Sequence, residues 1–256
     1  MHLILTGATG LVGSGVLDAM IKMKDVTKIS ILSRRPVKMA EDIKDPRVNV
    51  IIHKDFTTYE PTVLSQLKGA QGCVWALGIS QTQVGKEEYV KITKDYALEA
   101  SKAFQTLPGE KEPFNFVYVS GAGATTEPGR FSPIFARVKG ETELALAAMR
   151  KANPLFHASS VRPAMIDADA HDAIKPYIPT QPFAIRAAGA FLKTPIRLAY
   201  KSVWSPTDDL GRFLTEMAMG KHPIASPESD IQMVGEFPIL ENSAFRRMAG
   251  LDAKSG

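Results

Sequence analysis

The sequence predicts an α/β protein built on a doubly wound parallel sheet. Three observations predict it. The apolar run Leu3-Ile4-Leu5 ends at Thr6, and Gly7, Gly10 and Gly13 follow at a three-residue spacing before an apolar helical segment from Leu11 to Ile21. Strand-like and helix-like segments then alternate through the first two thirds, which implies parallel βαβ units with right-handed crossovers. Finally, the chain has 256 residues, 45% hydrophobic and 23% charged, enough to bury a sizeable core in one large domain.

The segments follow in order. Residues 28–33 (KISILS) read as the second strand and 48–53 as the third. Residues 61–67 form a helix with Pro61 near its start. Residues 72–76 are the fourth strand, and 85–104, rich in Lys, Glu and Ala, a long helical stretch. Residues 114–120 (FNFVYVS) are the fifth strand, 133–151 a second long helix and 156–161 the sixth strand. After Arg162-Pro163 the pattern loosens, with Pro176, Pro179 and Pro182 in a loop-rich segment and helices at 183–192 and 208–219. The expectation is a single domain over 1–256, with a small substrate cap built from insertions at about 164–256 and a frayed end at 252–256.

The glycines carry the first functional inference. Gly7 permits a tight turn off the strand. Gly10 lets the backbone approach a pyrophosphate, and Gly13 lets the new helix pack on the strand it left. The helix start offers unpaired N–H groups and a positive dipole end to an anion. A glycine-rich turn without a ligand is the alternative, and the strand-before, helix-after context favours binding.

About twenty residues past the glycines, an NAD site carries an acid that binds the ribose 2′-hydroxyl. Here the chain reads Ser33-Arg34-Arg35-Pro36. Guanidiniums make bidentate contacts with phosphate, so a 2′-phosphate and hence NADP are predicted; two solvated surface arginines are the alternative. After the third strand, Asp55 could accept from an adenine amino group with Phe56 packed on the ring. A plain turn aspartate is an equal reading.

Composition narrows the rest. A net charge of +4 and basic residues spread along the chain speak against a nucleic-acid partner. No apolar run reaches membrane-spanning length, and the opening residues lack a basic n-region, so neither a membrane partner nor a signal peptide is expected. The single cysteine, Cys73, excludes an internal disulfide and reads as a buried apolar residue; a cytoplasmic location is expected. His53, His157 and His171 have no metal-ligand spacing, so no metal is expected. Trp75 and Trp204 read as core packing or pocket walls. No G-x-S-x-G elbow supports hydrolase chemistry.

Taken together, TGATGLVG at the start, SRRP after the second strand, ALGISQT with EEYVKITKDY, VSGAGA, VKGETE, VRP and the later SPTDDLGRF resemble the short-chain dehydrogenase/reductase superfamily. The chain is most similar to its atypical branch, the Tat-interacting-protein-like oxidoreductases and related Rossmann-type proteins, distantly like nucleotide-sugar epimerases. The resemblance covers most of the chain to about Pro163. It implies that Gly7, Thr9, Gly10, Leu11 and Val12 line the pyrophosphate, Arg34 and Arg35 meet the 2′-phosphate, and Asp55 and Phe56 meet adenine. Ala76, Leu77 and Gly78 would flank the ribose, Lys139 would bind the nicotinamide ribose, and Arg162 and Pro163 would border the nicotinamide end.

For catalysis the resemblance implies Ser120 after the fifth strand and Tyr-x-x-x-Lys on the next helix, a spacing that puts both side chains on one face. This chain reads Phe135-Ala136-Arg137-Val138-Lys139. In the family a tyrosine hydroxyl delivers a proton to the carbonyl oxygen, aided by the lysine charge. Losing such a general acid removes roughly 10²–10⁴ in rate. Tyr118 is expected to be buried in its strand, and Tyr89 and Tyr96 lie on another helix.

Three functions stay open on the sequence: an NADP-dependent oxidoreductase on a small carbonyl or enone with another proton donor, a silent NADPH-binding regulatory protein, and a non-redox isomerase, epimerase or lyase on the same fold. The expected partner is a small-molecule substrate, and a homodimer is compatible.

Overall fold

A computed structural model of the chain describes residues 1–179 and 201–252, leaving the side chain of Lys201 aside. Strand β1 (His2–Thr6) leads through the glycine loop into helix α1 (Leu11–Lys22). Then come β2 (Lys28–Ser33), α2 (Lys38–Ile43), β3 (Val48–Ile52), α3 (Pro61–Leu67) and β4 (Gly72–Trp75). The long helical stretch is α4 (Lys86–Val90), one π-helical turn (Lys91–Asp95) and α5 (Tyr96–Phe104). The core unit closes with β5 (Phe114–Val119), α6 (Ile134–Ala152) and β6 (Phe156–Arg162).

The eight-stranded sheet runs β3-β2-β1-β4-β5-β6 and continues with β10 (Phe237–Glu241) and β9 (Ile231–Val234). Its pairings are parallel except β9 with β10. Strand order reverses between β1 and β4, so a crevice opens at their carboxyl ends, above Thr6 and Trp75, which are paired in register.

Period-two alternation sorts each strand into two cores. Leu3, Leu5, Val74, Val117 and Val161 face an aliphatic layer with α1. Ile4, Cys73, Trp75, Phe116 and Tyr118 face a layer rich in aromatic rings under α5 and α6. Cys73 and Trp75 are fully buried, as the packing readings expected. These apolar runs are buried on both faces, the signature of a covered parallel sheet.

The region after Pro163 corrects the expectation of a cap over 164–256. A small separate sheet pairs β7 (Met165–Asp167) with β8 (Trp204–Pro206). Beyond it, α7 (Thr207–Ala218) is part of the main sandwich and not a cap. Its Gly211 lies against α1 so closely that a Cβ there would sit 2.3 Å from the carbonyl oxygen of Gly15. Leu210, Phe213 and Leu214 of α7 join the aliphatic core, and α8 (Asn242–Met248) adds Ala244 and Phe245. The reason is amphipathicity: α7 has an apolar stripe that must be buried, and the face of the sheet beside α1 is where it fits. Strands β9 and β10 escaped the sequence reading because Gly235, Glu236 and Pro238 interrupt their apolar pattern. The helix expected at 183–192 and residues 253–256 lie outside the described residues.

Candidate functional site

The glycine loop is built as the spacing requires. Gly7 has φ +72°, and a Cβ there would lie 2.3 Å from the Ala76 carbonyl oxygen, so no side chain fits between the ends of β1 and β4. A Cβ on Gly13 would lie 2.0 Å from the Gly7 oxygen, which is the close strand–helix approach inferred from sequence. The Ser14 hydroxyl braces the turn, donating to the carbonyls of Ala8 (3.1 Å) and Gly10 (2.8 Å). No side chain caps α1 at Gly10 and its first turn holds no acid, so the N–H groups at Leu11 and Val12 are left for an anion.

Beside the loop, a cavity of about 490 Å³ is lined by Ala8, Thr9, Arg35, Pro36 and Lys38, with Tyr177 and Pro179 opposite. The Ser33 hydroxyl donates to the Arg35 carbonyl at 2.7 Å, a turn that throws both Arg34 and Arg35 outward. Both are exposed, and no carboxylate among the described residues pairs with either. Lys38 was missed in the sequence: it starts α2, and nothing in the local pattern showed that its turn faces the glycine loop.

Two expected contacts need correction. Phe56 is fully buried, with its ring against Trp75 (6.0 Å) and Tyr96 (5.8 Å), so it is core and not a platform for adenine. An apolar ring next to β3 finds more contact inside the aromatic layer than at the surface. Asp55 is exposed; its Oδ1 accepts from the backbone N–H (2.9 Å) and hydroxyl (2.6 Å) of Thr57, bonds that lower its pKa. That is the turn aspartate of the alternative reading.

Arg162 likewise does not face the crevice. It is 5% exposed, and its guanidinium donates to Glu143 Oε1 (3.0 Å) and Oε2 (2.6 Å) and to Glu241 Oε1 (2.7 Å). Glu143 is fully buried and also accepts from Ser160 at 2.8 Å. Arg162 thus ties α6, β6 and β10 together beneath the site. Pro163 stays near it, its carbonyl accepting from the Ala122 N–H at 2.9 Å.

Above this network the structure brings Ser120 and Lys139 together. Lys139 Nζ donates to the Ser120 carbonyl at 2.5 Å. The Ser120 hydroxyl is buried and has no partner. Burial pushes Lys139 down to about 8, with the Glu143 charge opposing the shift. Phe135 stands one turn before Lys139; its N–H donates to Gln81 Oε1 at 3.1 Å and its ring lies over Gly123. Gln81 lies in the ALGISQT stretch, but the resemblance gave it no role. Tyr118 is buried, donating to the Thr93 carbonyl at 3.3 Å, and burial raises its pKa well above the usual range, so it does not replace the missing hydroxyl.

Ala76, Leu77 and Gly78 follow β4 directly, and Ala76 lies against Gly7. One cluster elsewhere has metal-like spacing: Asp18, His171 and Asp208 place ligand atoms within 4.8 Å of one another. Lys22 Nζ lies 2.6 Å from Asp18, so an ammonium already supplies the positive charge there.

An uncapped helix start, a glycine cradle and an orphaned hydroxyl beside a half-buried lysine suit a dinucleotide, and the fold is that of a Rossmann-type protein. No family model matches the chain. It is 34% identical over 257 residues to the leucinostatins biosynthesis cluster protein T of Purpureocillium lilacinum, covering 93% of this chain and 90% of that one. It is 43% identical over 156 residues to the botcinic acid biosynthesis cluster B protein 16 of Botryotinia fuckeliana, covering 60% of this chain and 99% of that one. The mitochondrial protein fmp52 of Emericella nidulans is 28% identical over 149 residues, 58% of this chain and 61% of that one. Among solved structures, a short-chain type dehydrogenase/reductase from Mycobacterium ulcerans aligns with a TM-score of 0.63 at 15% identity, covering 98% of this chain and 94% of that one. The Bordetella bronchiseptica enzyme WbmF, in complex with NAD+, aligns with a TM-score of 0.62 at 12% identity, covering 100% and 79%. The chain belongs to the family of the leucinostatins biosynthesis cluster protein T, and its fold is the NAD(P)-binding Rossmann type of the solved short-chain dehydrogenase/reductase structure. No helix of the described residues is long and apolar enough to cross a membrane.

Proposed function

We propose that the protein is an NADP(H)-dependent oxidoreductase acting on a small carbonyl or enone, with Lys139 as the proton donor. The observation that carries this reading is the Ser120–Lys139 pair: a buried hydroxyl without a partner beside a half-buried ammonium pushed down to about 8. A reduced nicotinamide, when bound, supplies a hydride. Ser120 Oγ has a hydrogen to donate to a substrate oxygen. Lys139 Nζ holds a transferable proton near neutral pH, which suits a general acid better than an ordinary lysine does. After giving it up, the amine is recharged from solvent. Arg34, Arg35 and Lys38 hold the 2′-phosphate, and the N–H groups of Leu11 and Val12 hold the pyrophosphate. A reducing aqueous compartment such as the cytoplasm suits the buried Cys73 thiol.

Calorimetry with NADPH and NADH, followed by NADPH oxidation against a panel of aldehydes, ketones and enones, tests this reading. NADPH is expected to bind more tightly. Arg34→Ala with Arg35→Ala should erase the preference, since one charged hydrogen-bonded contact is worth about 1.5–3 kcal/mol. Equal affinities in the unaltered protein overturn the cofactor assignment, and no turnover with any carbonyl class overturns the activity. Phe135 supports one second reading, a silent NADPH-binding regulator. There Phe135→Tyr would create a reductase from an inactive protein.

A further inference from the structure

A second cavity lies away from the glycine loop, at the amino ends of the strands. It encloses about 600 Å³ and is lined by residues at the starts of three strands: Asn115 of β5, His157 of β6 and Pro238 of β10. Its apolar wall is Met217, Met219, Pro223 and Ile224, from the end of α7 and the loop after it. That size is ample for a small organic ligand.

Its electrostatics are unbalanced. Arg150, near the end of α6, faces this cavity with one arm tied, Nη1 donating to the Ala158 carbonyl at 2.7 Å. Its Nε is buried with no hydrogen-bond partner, and no carboxylate among the described residues forms an ion pair with it. Glu236 acts on it through space only, and Glu112, which also lines the cavity, is exposed. His157 stands beside it; burial and the Arg150 charge lower its pKa, so it adds no second cation at neutral pH. The other histidine of the lining, His222, is engaged with Glu216 at 3.0 Å. The amide side chains of Gln71 and Asn115 line the same space and make no hydrogen bond among the described residues. A partly buried guanidinium without a counter-charge is costly, and an anion that reaches it removes the cost. A carboxylate matches the planar fork of arginine, and a methionine-rich wall adapts to an apolar body of varied shape.

We propose that this cavity is a second binding site, which takes a small organic carboxylate with an apolar tail and anchors it on Arg150. The site is separate from the nucleotide crevice and does not depend on the oxidoreductase reading. Octanoate is the probe, with octan-1-ol as its uncharged counterpart, titrated into full-length protein carrying ¹³C-methyl methionine. Octanoate should shift the methyl signals of Met217 and Met219 saturably, equally with and without NADPH. Octan-1-ol and Arg150→Gln should each weaken binding by about tenfold or more, the effect of one charge-assisted contact. Ala225→Trp, an exposed change that fills the cavity without touching the guanidinium, should block binding, so the test survives if Arg150→Gln fails to fold. No methyl shift with octanoate, equal binding of the alcohol, unchanged binding in both variants, or displacement by NADPH each overturns the proposal.

Discussion

The two ends of the sheet are built on different chemistry. At the carboxyl ends, the pyrophosphate cradle of the proposed cofactor site is backbone: the start of α1 and the glycine turn. Beneath that cradle the buried Glu143–Arg162 pair, joined by the partly exposed Glu241, gives support. At the amino ends, side chains do the work: Arg150, Gln71 and Asn115 over a wall of Met and Pro. The contrast teaches why one site shows in a motif and the other does not. A backbone site needs glycine at fixed spacing, whereas a side-chain site draws single residues from distant segments.

The largest expected effect tests the support under the carboxyl end. Arg162→Met leaves the fully buried Glu143 carboxyl without its partner and should cost about 3–5 kcal/mol by chemical denaturation. A loss below about 1 kcal/mol would show that the network does not brace that end.

The next test belongs to the amino end. Burial lowers His2 from 6.5 to about 4, while its Nε2 is 2.8 Å from Ser30 Oγ. The unfolded chain takes up this proton below pH 6.5 and the folded protein does not until about 4, so stability is lost as pH falls through that window. The loss from this group is at most ~3 kcal/mol. Denaturation midpoints of His2→Asn should fall less steeply between these pH values; parallel curves would remove His2 from the account.

The smallest effect concerns Lys139, whose pKa is pushed down from 10.5 to about 8. The folded protein releases this proton near pH 8 and the unfolded chain near 10.5, so the charged group costs stability below pH 8 and the cost fades as pH rises toward 10.5. Lys139 is partly exposed to solvent, so Lys139→Met should stabilise the unliganded protein by about 1 kcal/mol at pH 7 and by less at pH 10. The same variant should lower turnover by roughly 10²–10⁴ if Lys139 is the acid. Unchanged turnover would return the proton to another donor.

The legible parts were those governed by local rules. Residues 28–33 and 61–67 match β2 and α3 end to end, since apolar runs and an N-terminal proline act within a few residues. The pairing of Ser120 with Lys139 followed from motifs that set each on its own element. Phe56 was misplaced because an aromatic after a strand suits a pocket wall and a core equally, and the Tyr96 and Trp75 rings that claim it are 40 and 19 positions away. Arg162 was misplaced for a related reason: Glu143 and Glu241 are remote in sequence, and no pattern marks them as its partners.

By itself, the sequence determined the alternating architecture, the glycine cradle, the arginine pair after β2 and the absence of a tyrosine at position 135. These are properties of backbone freedom and of residue identity, which are local. Only the tertiary structure decided that α7 and β10 complete the sandwich, that Arg162 is a strut and that Arg150 faces a cavity without a counter-ion. Those depend on which distant surfaces exclude water from one another, and burial is a property of the assembled chain.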